Sequence, residues 1–436
     1  MSEANRQATD AGVRQDAGGR GLVMEGSMPA SPGLVQTTQT WAHRRIDFAH
    51  PTLPNGAEPA TPLTTLNMGP QHPSTHGVLR LKLLLDGEIV VDVEPILGYL
   101  HRGSEKIAEG MHWVKFIPLT DRMDYISAMH NNHGYVLAVE KLLGGPEEQV
   151  VSERAEHIRV FAAELSRLCN HLFWMGTFML DLGAITPLFY ALREREEILG
   201  FLEELCGARL TFNYFRFGGV KYDLPNDPTY LTRVKAFLDK MPGLVATYEN
   251  LLKRNDIILA RLTGTGPLSR EQALDWGVTG PMLRATGLAH DLRKLAPYSI
   301  YKSLNFDVPT TTQSDCYGRL QLRWAEMVQS VRILEQVVDR LQNRSLDGLH
   351  LNPDYAGGKI LRVKAKGEAY ARIEHPKGEY GVHVIGDGKQ NPSRVHVRAP
   401  SFANLQVLPI IARGQKIADL IASLGSIDIV LGDVDR

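Results

Sequence analysis

Between Leu172 and Leu192 the chain runs with a single charged side chain, Asp181. An apolar stretch of about 20 residues either spans a bilayer or forms the buried centre of a helical protein. Two features argue against a span. Gly176, Gly183 and the Thr186-Pro187 pair interrupt the run, and an Asp at mid-span would cost roughly 2.5–3.5 kcal/mol. Thr-Pro reads as a helix cap followed by proline at the first helical position. The run therefore predicts two buried helices with a break between them and no transmembrane helix. A buried carboxylate is costly unless paired or protonated. Asp181 is thus a candidate functional residue, with a helix-break cap to backbone as the plain alternative.

Other segments extend the helical centre. Ser152 can cap a helix whose apolar face is Ile158, Phe161, Leu165, Leu168 and Leu172. Thr186 to about Cys206 reads as the next helix, and Ser269-Arg270-Glu271-Gln272 as a capping box. From Ser314 to Arg344, one stripe carries Leu320, Trp324, Met327, Val331, Leu334, Val338 and Leu341. Such stripes are core, since helix burial requires nothing more. Ahead of this centre, Val78–Leu83 and Ile89–Val93 read as two strands joined by Asp86-Gly87, followed by a helix from Arg122 to Leu143. Behind it, Ile360–Val397 alternates, with turns at Pro376-Lys377-Gly378 and Asp387-Gly388, before a short helix at Gln415–Leu424 and a buried tail. The fold class expected is α+β. The expected division is a disordered tail (1–60), an N-terminal α/β unit (61–145), a helical bundle (146–350) and a C-terminal β unit with its tail (351–436).

The 436 residues carry 48 basic and 49 acidic side chains, so no global field favours nucleic acid or an acidic membrane surface. Only Cys169, Cys206 and Cys316 are present, far apart. That excludes a disulfide scaffold, a zinc ribbon and a self-contained iron–sulfur cluster, and it suits a reducing compartment. The first 60 residues have no apolar signal core, and Glu3, Asp10, Asp16 and Glu25 make a poor transit peptide. Met24 and Met28 are candidate starts beside Met1. Gly264-Thr265-Gly266-Pro267 lacks the Lys-Ser/Thr of a phosphate loop, and no G-x-G-x-x-G occurs, so NADH binding by this chain is rejected.

Two further groups of residues have the chemistry of a site. His72 and His76 flank Pro73 in Gly69–Gly77, a loop rather than a zinc-binding helix; the imidazoles are either functional or bonded to backbone. In Asp121-Arg122-Met123-Asp124-Tyr125, polar residues open the expected helix, and Tyr125 shares a face with Met129 and Val136. Helix capping and a surface ion pair are the plain reading there.

These blocks carry a resemblance. Leu66-Asn67-Met68-Gly69-Pro70-Gln71-His72-Pro73-Ser74-Thr75-His76-Gly77 resembles the D-subunit family of proton-pumping NADH–quinone oxidoreductases, respiratory complex I. So do Gly98–Lys106, Arg122–Tyr125, Leu180–Ala184, Phe306–Pro309, Pro376–Glu379 and Gly432–Arg436. That family is in turn similar to the large subunit of nickel–iron hydrogenases, which hold their metal with two Cys-x-x-Cys pairs. Counted from the Arg102–Glu105 motif and from the chain end, those cysteine positions fall at Asp124, Ser127, Val430 and Asp433. Carboxylate, hydroxyl and valine cannot rebuild a soft four-thiolate site, so no metal is expected.

The resemblance implies that the vacated cavity receives a quinone headgroup, with His76 and Tyr125 as its ligands and Asp181 as the carboxylate partner of the histidine. It implies that Arg102 and Arg122 lie beside the terminal iron–sulfur cluster of a B-like subunit, ion pairs with Glu105 or Asp124 being the plain alternative. Further partners implied are a C-like subunit and membrane-arm subunits. The location implied is peripheral, on the cytoplasmic side of a bacterial plasma membrane. Many relatives have His where Thr211 stands, a residue associated with redox-linked protonation, and Thr cannot titrate. Two rival readings are a hydrogenase-like metalloenzyme and a catalytically silent assembly scaffold.

Overall fold

The computed structural model describes residues 62–72, 77–144, 151–344, 346–355 and 365–436. The expected tail, residues 1–60, lies outside the described residues, and so does His76.

The first sheet is antiparallel, in the order β1 (Thr64–Met68), β2 (Arg80–Asp86), β3 (Ile89–Ile96). The hairpin turns at Gly87, whose φ of 60° suits a residue without Cβ. The register shifts between Leu84 and Leu85, and this bulge lets both leucines be buried. The first expected strand thus starts two residues later and runs to Asp86. β1 is an addition to the two expected strands, because Leu66–Met68 carries no alternation strong enough to separate a strand from a loop.

Three helices follow: α1 (Ser104–Glu109), α2 (Trp113–Thr120) and α3 (Ala128–Gly144). The helical centre begins with α4 (Glu153–Asp181), about 43 Å long at 1.5 Å per residue. Ser152 caps it by accepting the Ala155 N–H at 3.1 Å. The chain breaks after Asp181 with Gly183 at φ 86°, then re-enters helix as α5 (Thr186–Cys206). Ile185 rather than Thr186 occupies the cap position, and Pro187 sits in the first turn. No helix among the described residues is long and apolar enough to cross a membrane. A two-residue hairpin, β4 (Phe215–Arg216) with β5 (Gly219–Val220), precedes α6 (Tyr230–Lys253).

Short helices then follow: α7 (Asp256–Leu262), α8 (Arg270–Asp275), α9 (Pro281–Arg284) and α10 (Leu292–Leu295). The capping box opens α8 as expected, Ser269 Oγ accepting from Gln272 N at 3.2 Å and Gln272 Oε1 from Ser269 N at 3.0 Å. The long stripe forms α11 (Cys316–Asn343), which packs on α4 and α6.

The last sheet is also antiparallel, in the order β6 (Lys366–His375), β7 (Gly378–Asp387), β8 (Arg394–Arg398). It packs against α3, where Gly134 lets the Tyr380 ring sit directly on the helix. The chain ends in α12 (Pro400–Leu405), α13 (Leu408–Ala412), α14 (Ile417–Ile427) and α15 (Leu431–Asp435). The residues expected as a bare tail after Ile427 thus include a buried helix. One apolar cluster joins α3–α6 and α11 with the last sheet, and a second joins the first sheet to α13 and α14.

Candidate functional site

The residues from Asp121 to Ser127 form a turn, and helix begins only at Ala128. The expectation of a helix from Arg122 fails for a local reason. Asp124 Oδ1 accepts the N–H groups of Ile126 (3.0 Å) and Ser127 (3.2 Å), so the side chain takes donors that a helix would direct elsewhere. Tyr125 therefore shares no helical face with Met129 and Val136. It stands at the turn with 39% of its surface exposed, while Asp124 beside it is fully buried. Burial, and then the Asp124 charge, raise the Tyr125 phenol above its usual pKa, against the opposing charges of Lys377 and Arg102.

Behind the turn lies Lys377, at the tight corner between β6 and β7 and 1% exposed. Its Nζ is 2.9 Å from Asp124 Oδ2 and 3.6 Å from Asp428 Oδ1, and it donates a short hydrogen bond to Asn170 Oδ1. Asn170 Nδ2 in turn donates to Asp428 Oδ2 at 2.9 Å. Burial works against the ammonium, but Asp124 and Asp428 outweigh it and hold Lys377 above its usual pKa. His375 Nε2 lies 3.5 Å from Asp124 Oδ2; burial, then Lys377, keep this imidazole well below its normal pKa. Ser127 Oγ bonds His130 Nδ1 at 2.8 Å.

The C-terminal helix draws the separate sequence blocks together. A Cβ on Gly432 would stand against the Met123 carbonyl oxygen, and one on Gly77 would lie 3.4 Å from Leu431 Cδ1. The tyrosine turn and the end of the histidine loop therefore pack on neighbouring residues of α15. That loop is closed at its base by a bridge between His72 and Gly77. Asp435 accepts Gly98 N (2.9 Å) and Leu100 N (2.7 Å), and its carbonyl receives His101 Nδ1–H at 2.7 Å. Arg102 Nη2 donates to the carbonyls of Arg122 (2.6 Å) and Gly432 (3.4 Å).

Arg102 and Arg122 are exposed and direct their guanidinium groups to carbonyl oxygens, Arg122 reaching Pro118 O at 2.5 Å. Glu105, the expected ion-pair partner, instead meets Arg394 (3.1 Å) and caps Val397 N (2.9 Å). Asp124, Ser127, Val430 and Asp433, far apart in sequence, come to one interior region where α15 meets the turn. Asp181 ends α4, half-buried, its Oδ2 3.4 Å from where a Cβ on Gly425 of α14 would be. Whether it meets His76 lies outside the described residues. Lys377, Asp428, Asn170 and His375 are additions to the expected set. For Lys377 the signal was its place in the Pro376–Glu379 block, while Asn170, His375 and Asp428 stood out only as polar residues in largely apolar segments. Among the described residues no group of three or more His, Cys, Asp and Glu side chains is placed to hold a metal ion.

Known proteins share this sequence over most of its length. The family described as "Respiratory-chain NADH dehydrogenase, 49 Kd subunit" matches residues 181–356 and 357–436. The protein of Geobacillus thermodenitrificans named as the D-subunit of NADH-quinone oxidoreductase is 50% identical over 372 residues, covering 85% of this chain and 98% of the relative. Its namesake from Dehalococcoides mccartyi is 50% identical over 372 residues, with the same coverage. A Roseiflexus protein, named as D-subunit 1 of the same oxidoreductase, is 48% identical over 374 residues. The interior that gathers Asp124, Lys377 and the C-terminal helix therefore belongs to a member of the 49 kDa, or D-subunit, family of respiratory complex I.

Proposed function

We propose that this chain forms much of the quinone-reduction site of a bacterial proton-pumping NADH–quinone oxidoreductase. The observation that carries this reading is the shared anchorage of the histidine loop and the tyrosine turn. Gly77, next to His76, and Met123, two residues before Tyr125, both pack on Leu431-Gly432 of α15. A quinone offers two carbonyl acceptors on opposite sides of its ring. An imidazole and a phenol facing them supply hydrogen bonds and protons near neutral pH. The partly exposed Tyr125 suits contact with a ligand that arrives from outside the chain.

Asp181 is assigned as the partner that orients the His76 imidazole. Arg102 and Arg122, exposed around the same turn, face the iron–sulfur cluster of a B-like subunit; positive charge there favours the reduced cluster. Electrons arrive by tunnelling from that cluster, and this chain holds no metal, cluster or NADH of its own. A C-like subunit and the membrane arm are its other partners, and it works only within the assembly. The chain lies peripherally on the cytoplasmic side of the membrane, and quinone reduction drives proton pumping through the membrane subunits.

In the assembled complex, His76→Ala or Tyr125→Phe should lower NADH–quinone reductase activity by about 10²-fold or more, the range for loss of a positioned proton donor. NADH–ferricyanide activity should be retained. Unaltered quinone kinetics in both variants would refute the ligand assignment.

A further inference from the structure

We propose that Asp433 and Asp124 share a proton in the interior and that this pair reprotonates Tyr125 after the phenol has protonated the quinone. The inference rests on the quinone-site reading above.

Negative charge outnumbers positive charge in this interior. Asp124, Asp428 and Asp433 are all buried around the single ammonium of Lys377. Asp428 is served by Lys377 and Asn170 and lies in the field of Arg323. Asp124 has Lys377 at 2.9 Å. Asp433 has neither. Its Oδ2 accepts the Ser401 N–H at 3.0 Å, the Ser401 hydroxyl also bonds to its carboxylate, and its Oδ1 is buried without a hydrogen-bond partner. Among the described residues no cation lies within ion-pair distance of it. Gly432, next to Asp433, lies against the carbonyl of Met123, next to Asp124, which brings the two buried carboxylates into one interior region. Two like charges held there away from water cannot both ionise freely, so one proton stays on the pair. The remaining groups facing the pair do not supply the missing positive charge. His375 is held neutral, and Tyr380 is a phenol whose own pKa is raised by burial and then by Asp433 and Glu105. Arg102 is bonded to the carbonyls of Arg122 and Gly432, and Arg436 Nη1 to that of Val397. In keeping with this imbalance, burial and then the Asp124 charge push Asp433 up to about 6.

The step balances. The quinone takes two electrons from the partner's iron–sulfur cluster and two protons, one from the protonated His76 imidazole, which recovers it from solvent, and one from Tyr125. On the Tyr125 side the phenol O–H breaks as one quinol O–H forms. The phenolate then takes the proton of the Asp124–Asp433 pair, and the pair regains one from water before the next turnover. Asp124 is adjacent to Tyr125 in the chain, and its charge already acts on the phenol.

Asp433→Asn keeps an oxygen for the Ser401 N–H and removes the titration. In the assembled complex, wild-type quinone reduction should decline as pH rises from about 6 to 8, as the pair loses its proton. Asp433→Asn should lower the rate at pH 7 about tenfold, less than the ~10²–10⁴ supplied by a donor at the reacting atom. Its rate should stay flat across that window, with ferricyanide activity unchanged. Asp428→Asn removes a like charge, weakens proton binding by the pair and should move the decline to lower pH. It decides the question if Asp433→Asn does not assemble. A wild-type profile in these variants, while Tyr125→Phe still abolishes quinone reduction, overturns the shared proton and leaves the quinone site standing. Normal quinone reduction by Tyr125→Phe overturns both.

Discussion

At the scale of single residues, the most consequential placement is Lys377. A lysine in a Pro-Lys-Gly turn is normally a solvated corner, yet here it is 1% exposed. The close approach of Gly280 to Gly378 tucks the corner against α9, and carboxylates waiting inside receive the ammonium. Breaking such a buried pair is expensive, because the surviving charge remains without compensation. Thr211 marks the opposite case, a half-buried hydroxyl that cannot titrate, where the family resemblance implies an imidazole. With no titrating group there, the potential of the partner-subunit cluster that the proposed function places nearby should vary less with pH than where a histidine stands. A redox titration of the cluster in the assembled complex measures this, and a full-slope dependence would contradict it.

The elements are held by devices that can be tested one at a time. Ser152 does two things at the start of α4: its Oγ accepts the Ala155 N–H and donates to the Leu349 carbonyl at 2.6 Å. Ser152→Ala should cost about 1–2 kcal/mol. At the other end of α4, Gly176 lies under Leu188 of α5, close enough that a Cβ would meet its backbone at 3.1 Å. Gly176→Ala, favourable for an isolated helix, should here destabilise by about 1–3 kcal/mol through overpacking. Thermal unfolding of the two variants would separate these effects. A gain in stability for Gly176→Ala would mean that α5 yields.

Across the whole molecule, buried charge shapes the response to pH. Burial alone would raise Asp291, but Arg293 outweighs it and holds the carboxyl at about 2. Arg284 and His171 likewise depress Glu326 despite its burial. A depressed carboxylate contributes stability that is complete above its unfolded pKa near 4 and disappears as pH falls through the folded value; for Asp291 this is roughly 2 kcal/mol. Asp433, at about 6, and Asp121, pushed to about 7 by burial, have the opposite sign. Their contribution is present at low pH and is lost as pH rises through those values. The buried, neutral His130, His133 and His375, which burial holds well below the usual imidazole pKa, contribute stability that is complete above about 6.5 and lost as pH falls. Unfolding followed from pH 2 to 9 should therefore show greatest resistance between about pH 4 and 7 and the steepest loss below it. A maximum above pH 8 would contradict this balance.

Much of this was legible in the sequence, for identifiable reasons. Periodicity exposed α4, α5 and α11, because a helix needs only an apolar stripe to be buried. Asp86-Gly87 and Pro376-Lys377-Gly378 exposed two hairpins through turn chemistry. The ordered motif blocks carried the family. By itself, the sequence therefore determined the long central helices and two hairpins, and which residues are chemically unusual; it left β1, α6 and α15 undetected. It did not determine the start of α3, because Asp124 draws N–H groups to its side chain instead of opening a helix. Nor could it show that residues about 300 apart, such as Met123 and Gly432, would touch. Burial of Lys377 and crowding of Asp124 with Asp433 are properties of distance and exclusion of water. Only the tertiary structure sets either, since the field one charge exerts on another depends on what lies between them.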